Sequence, residues 1–248
     1  MTSTSETGHA KNVANFDQLI SSVSGFGATY NPSRTAIQLS SLQALSASAR
    51  AALNGVSSAQ ADYSNAVAAR EVKFQPLSKL ATRILNAIKA TDTTSSVDDN
   101  VKTLIRKIQG VKATPKLTGE EKKALAAEGK ETKEISSSQL SFDSLLENFN
   151  KLIQLLVSIP QYAPNEEELK VITLTAQYNE MKTLNDTVVT TATALSNARI
   201  ARNEVLYKEN TGLVDIAADV KTYIKSLFGT SAPQFKQVSK LEFSPYKA

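Results

Sequence analysis

The chain of 248 residues has no cysteine. Disulfides, thiolate metal sites and cysteine nucleophiles are excluded together, and the absence fits a reducing compartment. Histidine occurs once, as His9, in a polar opening stretch that reads as an exposed tail. A Ser-His-Asp site and a two-histidine metal site are then out of reach within one chain. Tryptophan is absent, and nine glycines and seven prolines are few for this length, which disfavours a turn-rich all-β chain. No apolar run approaches the roughly 20 residues that span a bilayer. The best candidate, Leu145 to Ile159, is interrupted by Glu147, Asn148, Asn150 and Lys151. Residues 1–10 carry no apolar core of the signal-peptide kind. These absences lead to the expectation of a soluble, cytoplasmic protein. Neither G-x-G-x-x-G nor G-x-x-x-x-G-K-[ST] occurs, and no Glu-x-x-His pair offers di-iron ligands. No cofactor, no metal and no catalytic residue is expected.

What remains is rich in helix formers. Hydrophobic residues make up 41% of the chain and aromatics only 6%, so the core must be built of Ala, Leu, Ile and Val. That composition suits close helix packing and predicts an all-α fold. The formal net charge of +4 comes from 28 basic and 24 acidic residues, spread without a dense patch. With neither a basic stripe nor an aromatic platform, nucleic acid ranks low among partners.

Comparing the chain with itself reveals two copies. Asn15-Phe16-Asp17-Gln18-Leu19-Ile20 matches Asn148-Phe149-Asn150-Lys151-Leu152-Ile153 at an offset of 133. Tyr30-Asn31-Pro32 matches Tyr162-Ala163-Pro164 at 132, and Ser64-Asn65-Ala66 matches Ser196-Asn197-Ala198 at the same offset. Leu77, Ala81, Ile84 and Ile88 match Leu213, Ala217, Val220 and Ile224 at 136. Matches in one order at a nearly constant offset point to a tandem duplication. VKTLIRKIQG at 101–110 also resembles VKTYIKSLFG at 220–229, so the first copy carries an extra segment.

The expected elements follow. A helix runs from about Lys11 to Ser24 and stops at Gly25 and Gly27. A long helix follows from about Ser33 to Lys73, with its counterpart from Pro164 to about Glu209. In the counterpart, Leu184, Val188, Thr191, Leu195, Ala198, Arg202 and Val205 recur in steps of 4 and 3, a coiled-coil spacing. Pro76 and Gly212 break the two long helices at matching places, and shorter helices follow at 77–90 and 97–109. The expected architecture is an elongated helical bundle with an internal pseudo-twofold. Its parts are a first helical repeat at 1–110, a charged linker at 111–138, a second repeat at 139–229 and an extended tail at 230–248. SSQLSF (137–142) and VSKLEF (238–243) alternate apolar and polar residues, as short extended segments do.

Polar residues kept in both copies are the binding-site candidates: Asn65 with Asn197, and Arg70 with Arg202. Arginine offers a planar fork for carboxylates and other anions. A polar residue on an apolar stripe also fixes helix register, and that structural role is the simpler reading. Lys102/Lys221 and Arg106/Lys225 read as solvated charge.

The opening GHAKNVANF, followed by the Tyr-Asn-Pro turn, resembles uncharacterised all-helical proteins of the Bacteroidota. The resemblance implies helical structure over most of the chain and brings no activity or site residue. The functional expectation is therefore a non-enzymatic binding or scaffolding protein. Its partner is an unidentified protein, or a second copy that fills the apolar stripe to make a homodimer. A membrane-active protein of the pore-forming kind, inserting Leu145 to Ile159, is the alternative.

Overall fold

The computed structural model describes residues 4–111 and 140–246. All regular structure among these residues is helical. The first copy forms α1 (Thr4–Gly25), α2 (Leu39–Phe74), α3 (Leu77–Lys89) and α4 (Ser95–Gln109). The second forms α5 (Phe142–Val157), α6 (Val171–Tyr207), α7 (Leu213–Phe228) and α8 (Pro233–Ser239).

Both long helices start later than their proline turns suggest, for the same reason in each copy. Residues 35–37 and 167–169 first make a single 3-10 turn. A buried tyrosine holds that turn: the Tyr30 hydroxyl donates to the Ile37 carbonyl at 2.7 Å, and the Tyr162 hydroxyl to the Leu169 carbonyl at 2.8 Å. The tyrosine thus satisfies a carbonyl that no helix yet uses. At the far ends, Pro76 precedes α3 and Gly212 precedes α7, as the breakers predict. Asn210, at φ 64°, makes the left-handed step before α7, and its N–H donates to the Asp215 carboxylate at 2.8 Å.

Burial along the long helices follows a seven-residue period. In α2, Leu42, Ala49 and Val56 are buried and Tyr63 and Arg70 half-buried. In α6, 132 positions later, Leu174, Met181, Val188, Leu195 and Arg202 are all buried. Heptad spacing keeps one stripe of a long helix on the same side.

The chain divides into two compact units, and these are not the two sequence copies. Unit one comprises Met1–Ser64 with Thr190–Ala248, and unit two comprises Asn65–Val189. Unit one sets Phe16, Leu19 and Val23 of α1 and Leu42 of α2 against Leu213, Ile216, Val220 and Ile224 of α7. Unit two sets Ile84 and Ile88 of α3 and Ile105 of α4 with Phe149, Leu152 and Leu156 of α5. Each unit therefore combines the beginning of one copy with the end of the other. The expected domains at 1–110 and 139–229 do not coincide with these bodies, because the apolar face of α1 is covered by α7 of the other copy and that of α5 by α3 and α4.

Other boundaries also shift. The expected linker at 111–138 lies outside the described residues apart from Val111. The expected extended tail at 230–248 contains α8, whose Val238 is fully buried; among its described residues 230–232 and 240–246 are non-helical. Phe142, expected to be extended, begins α5 instead, because the Ser141 hydroxyl caps the Ser144 N–H at 3.2 Å.

Candidate functional site

The four residues kept in both copies separate by role. Asn65 and Asn197 are exposed. Arg70 and Arg202 are drawn inward, each in its own unit.

In unit two the Arg70 guanidinium carbon lies 3.8 Å from the centroid of the Phe142 ring. Phe142 in turn meets Phe74 edge to face, 4.9 Å between centroids. Arg70 Nη1 donates to Asn185 Oδ1 at 3.0 Å, and Asn185 Nδ2 donates to Asp143 Oδ1 at 2.8 Å. Three helices, α2, α6 and α5, are tied by this chain of bonds. Arg70 Nε is buried without a hydrogen-bond partner among the described residues. The arrangement combines a cation–π contact with a charge-assisted bond.

Beside this cluster, an open cleft of about 590 Å³ runs between α2 and α6 within unit two. Ala68, Ala69, Val72, Pro76 and Leu184 supply its apolar lining. Lys73 and Glu180 also line it, joined by an ion pair from α2 to α6. Val72 is 70% exposed there, although it sits on a helix whose other large apolar residues turn inward.

In unit one the position equivalent to Phe142, 133 residues earlier, is His9. The histidine is not an exposed tail residue: α1 starts at Thr4, and His9 is only 5% exposed. His9 Nδ1 lies 2.5 Å from the Tyr207 hydroxyl. Asn12, 1% exposed, donates from Nδ2 to the same hydroxyl at 3.3 Å. Burial pushes the Tyr207 hydroxyl up, against the pull of the Asn12 bond and the Arg202 charge. Arg202 donates to Asn203 Oδ1 through Nε and Nη2, at 3.1 and 2.9 Å.

The same face of unit one holds the segment at 240–246. Asn12 Nδ2 donates to the Ser244 carbonyl and Asn12 Oδ1 accepts from the Ser244 N–H, both at 2.9 Å. Asn15 Nδ2 donates to the Glu242 carbonyl at 2.6 Å, and Lys221 Nζ to the Leu241 carbonyl. Sequence reasoning missed Asn12, Asn15 and Tyr207, and Lys221, read as solvated charge, is instead half-buried against the Leu241 carbonyl. The available signals were the i, i+3 spacing of the two asparagines and the alternation of VSKLEF. Among the described residues, no group of three or more His, Asp or Glu side chains is placed to hold a metal ion.

No protein-family model, curated protein or solved structure matches the chain.

Proposed function

We propose that this chain is a non-enzymatic binding or scaffolding protein, and that the cleft between α2 and α6 of unit two takes an apolar helix face of a partner protein. The exposed Val72, set in an apolar cleft beside the Lys73–Glu180 pair, carries this reading. Grooves of this kind receive amphipathic helices, with apolar anchors inside and charge at the rim. The paired arginines support the architecture rather than the ligand, since their bonds run to Asn185 and Asn203 of the same units. The coiled-coil spacing and the tandem duplication belong to the same reading: two long helices serve as a rigid mount for binding faces. The membrane-active alternative has less support. Leu146, Phe149, Leu152, Ile153 and Leu156, the apolar face it would insert, are spent on the core of unit two. Among the described residues, no helix is long and apolar enough to cross a membrane.

Affinity capture from the source lysate tests the proposal with three variants. Val72→Glu should remove a dominant partner. Ile200→Glu, at another exposed apolar position, should leave it bound. Arg70→Ala/Arg202→Ala should also leave it bound if helicity is normal. A partner kept by Val72→Glu would remove the cleft from the proposal. Dye release from vesicles by the unmodified protein would favour the membrane-active alternative.

A further inference from the structure

Residues 240–246 are held by polar contacts to their main chain, beside two side chains, Leu241 and Phe243, that pack on the unit-one core. The main-chain groups contacted are the Leu241 and Glu242 carbonyls and both peptide groups of Ser244. Such contacts accept any extended backbone, while side chains on the segment give selectivity. Leu241 is the segment's buried side chain, at 8% exposure, and joins the core of unit one. Phe243 is half-buried, its ring centroid 5.0 Å from Lys221 Nζ. Tyr246 leans on Tyr207 with 5.5 Å between ring centroids and stays 50% exposed. Pro245 has no N–H of its own to satisfy, so its part of the backbone needs no acceptor.

Asn12 decides what the groove accepts. Its amide is nearly inaccessible, at 1% exposure, and faces a main-chain N–H and C=O at once. A buried amide that loses both partners is penalised, so an apolar side chain or a helix surface cannot replace the segment without cost. An extended peptide can.

We propose that α1 and α7 of unit one form a binding site for an extended segment of a partner protein, read as a leucine followed two residues later by an aromatic residue and then Ser-Pro, and that residues 240–246 occupy this site in cis as a replaceable ligand. The site is separate from the unit-two cleft and does not depend on that reading. The tethered segment competes with any trans ligand, so a trans ligand gains when the segment is disabled.

The test uses the full chain and a fluorescent peptide of sequence VSKLEFSPY. In Leu241→Asp/Phe243→Asp, which disables the resident segment, the peptide should bind on the order of tenfold to a hundredfold tighter than in the unmodified chain. Adding Asn12→Leu, which installs the residue found at the equivalent position 145, should abolish that gain while helicity is kept. On the unmodified chain, excess peptide should speed hydrogen exchange at the Ser244 amide, a readout that needs no variant to fold. Equal binding with and without the resident segment would overturn the proposal. So would binding indifferent to Asn12, or Ser244 exchange unmoved by saturating peptide. A concentration-dependent dimer of the unmodified chain that Leu241→Asp abolishes would assign the site to a second copy and overturn the partner assignment.

Discussion

Cutting the chain between residues 125 and 126 separates the two sequence copies without touching any helix among the described residues. If each copy were a domain, both fragments would fold. The composition of the cores argues otherwise. Unit one buries eight core residues from the first copy, from Val13 to Ala49, against eight from the second, from Leu206 to Leu241. A free first-copy fragment loses all eight second-copy partners. At about 2 kcal/mol per large apolar side chain, that is on the order of 15 kcal/mol for this unit. Residual compactness of unfolded chains returns up to about a third, leaving roughly 10 kcal/mol. Whole domains are stable by only about 5–15 kcal/mol. Unit two repeats the situation, with Phe74 to Ile108 facing Leu146 to Met181.

The expected outcome is that fragments 1–125 and 126–248 each lose most of their helical far-ultraviolet signal as monomers. Mixing them should restore it at 1:1 stoichiometry, with light scattering giving the mass of the intact chain. A fragment that pairs with itself would also fit, because Phe16 and Phe149 hold equivalent places in their units. A monomeric fragment with native helicity and its own cooperative unfolding would refute the reasoning.

Tyr30→Phe and Tyr162→Phe each remove a buried hydroxyl–carbonyl bond, so urea unfolding should show losses of about 1–2 kcal/mol, similar for the two and additive in the double variant. Burial, with the Glu166 charge adding to it, pushes the Tyr162 hydroxyl up to about 12. A raised pKa favours the neutral phenol in the fold, so its contribution is complete below about pH 10 and lost as pH rises to about 12. The stability advantage of the unmodified chain over Tyr162→Phe should therefore shrink by roughly 1.4 kcal/mol per pH unit in that window, measured by denaturant titration. Gly212→Ala should cost about 1–3 kcal/mol by thermal unfolding, because a Cβ there would sit 2.6 Å from the Lys208 backbone nitrogen.

Periodicity made much of the fold legible. The steps of 4 and 3 through Leu184, Val188 and Leu195 marked the inward side of α6, and Pro76 and Gly212 marked its breaks and those of α2 correctly. Periodicity shows which side of a helix is buried, however, and not what covers it. Leu213 and Leu77 look interchangeable in sequence, so nothing local reveals that α7 closes on α1 rather than on its own copy's α5. His9 was misplaced for a related reason. The stretch before it, Thr2 to Thr7, is polar, and the group it meets, Tyr207, is 198 positions away. Arg70 and Arg202 were singled out because both copies hold them, yet their surroundings differ: one meets Phe142, the other lies in the cluster of His9, Asn12 and Tyr207.

That difference separates the two units at a specific place. At the offset of 133 that relates α1 to α5, His9 and Asn12 of unit one stand where unit two has Phe142 and Leu145. At the offset of 136 that relates α3 to α7, Lys221 stands where unit two has Leu85. All three apolar counterparts pack on the core of unit two. Fold stability alone therefore does not require polar groups at these positions, and buried polar groups are costly unless satisfied. Asn12 and Lys221 are satisfied by the main chain of residues 241–244, and the Tyr207 ring that backs His9 also receives Tyr246. The polar departures from the shared frame thus converge on one extended segment. They account for that segment's docking, and they mark unit one as the half adapted to hold an extended chain.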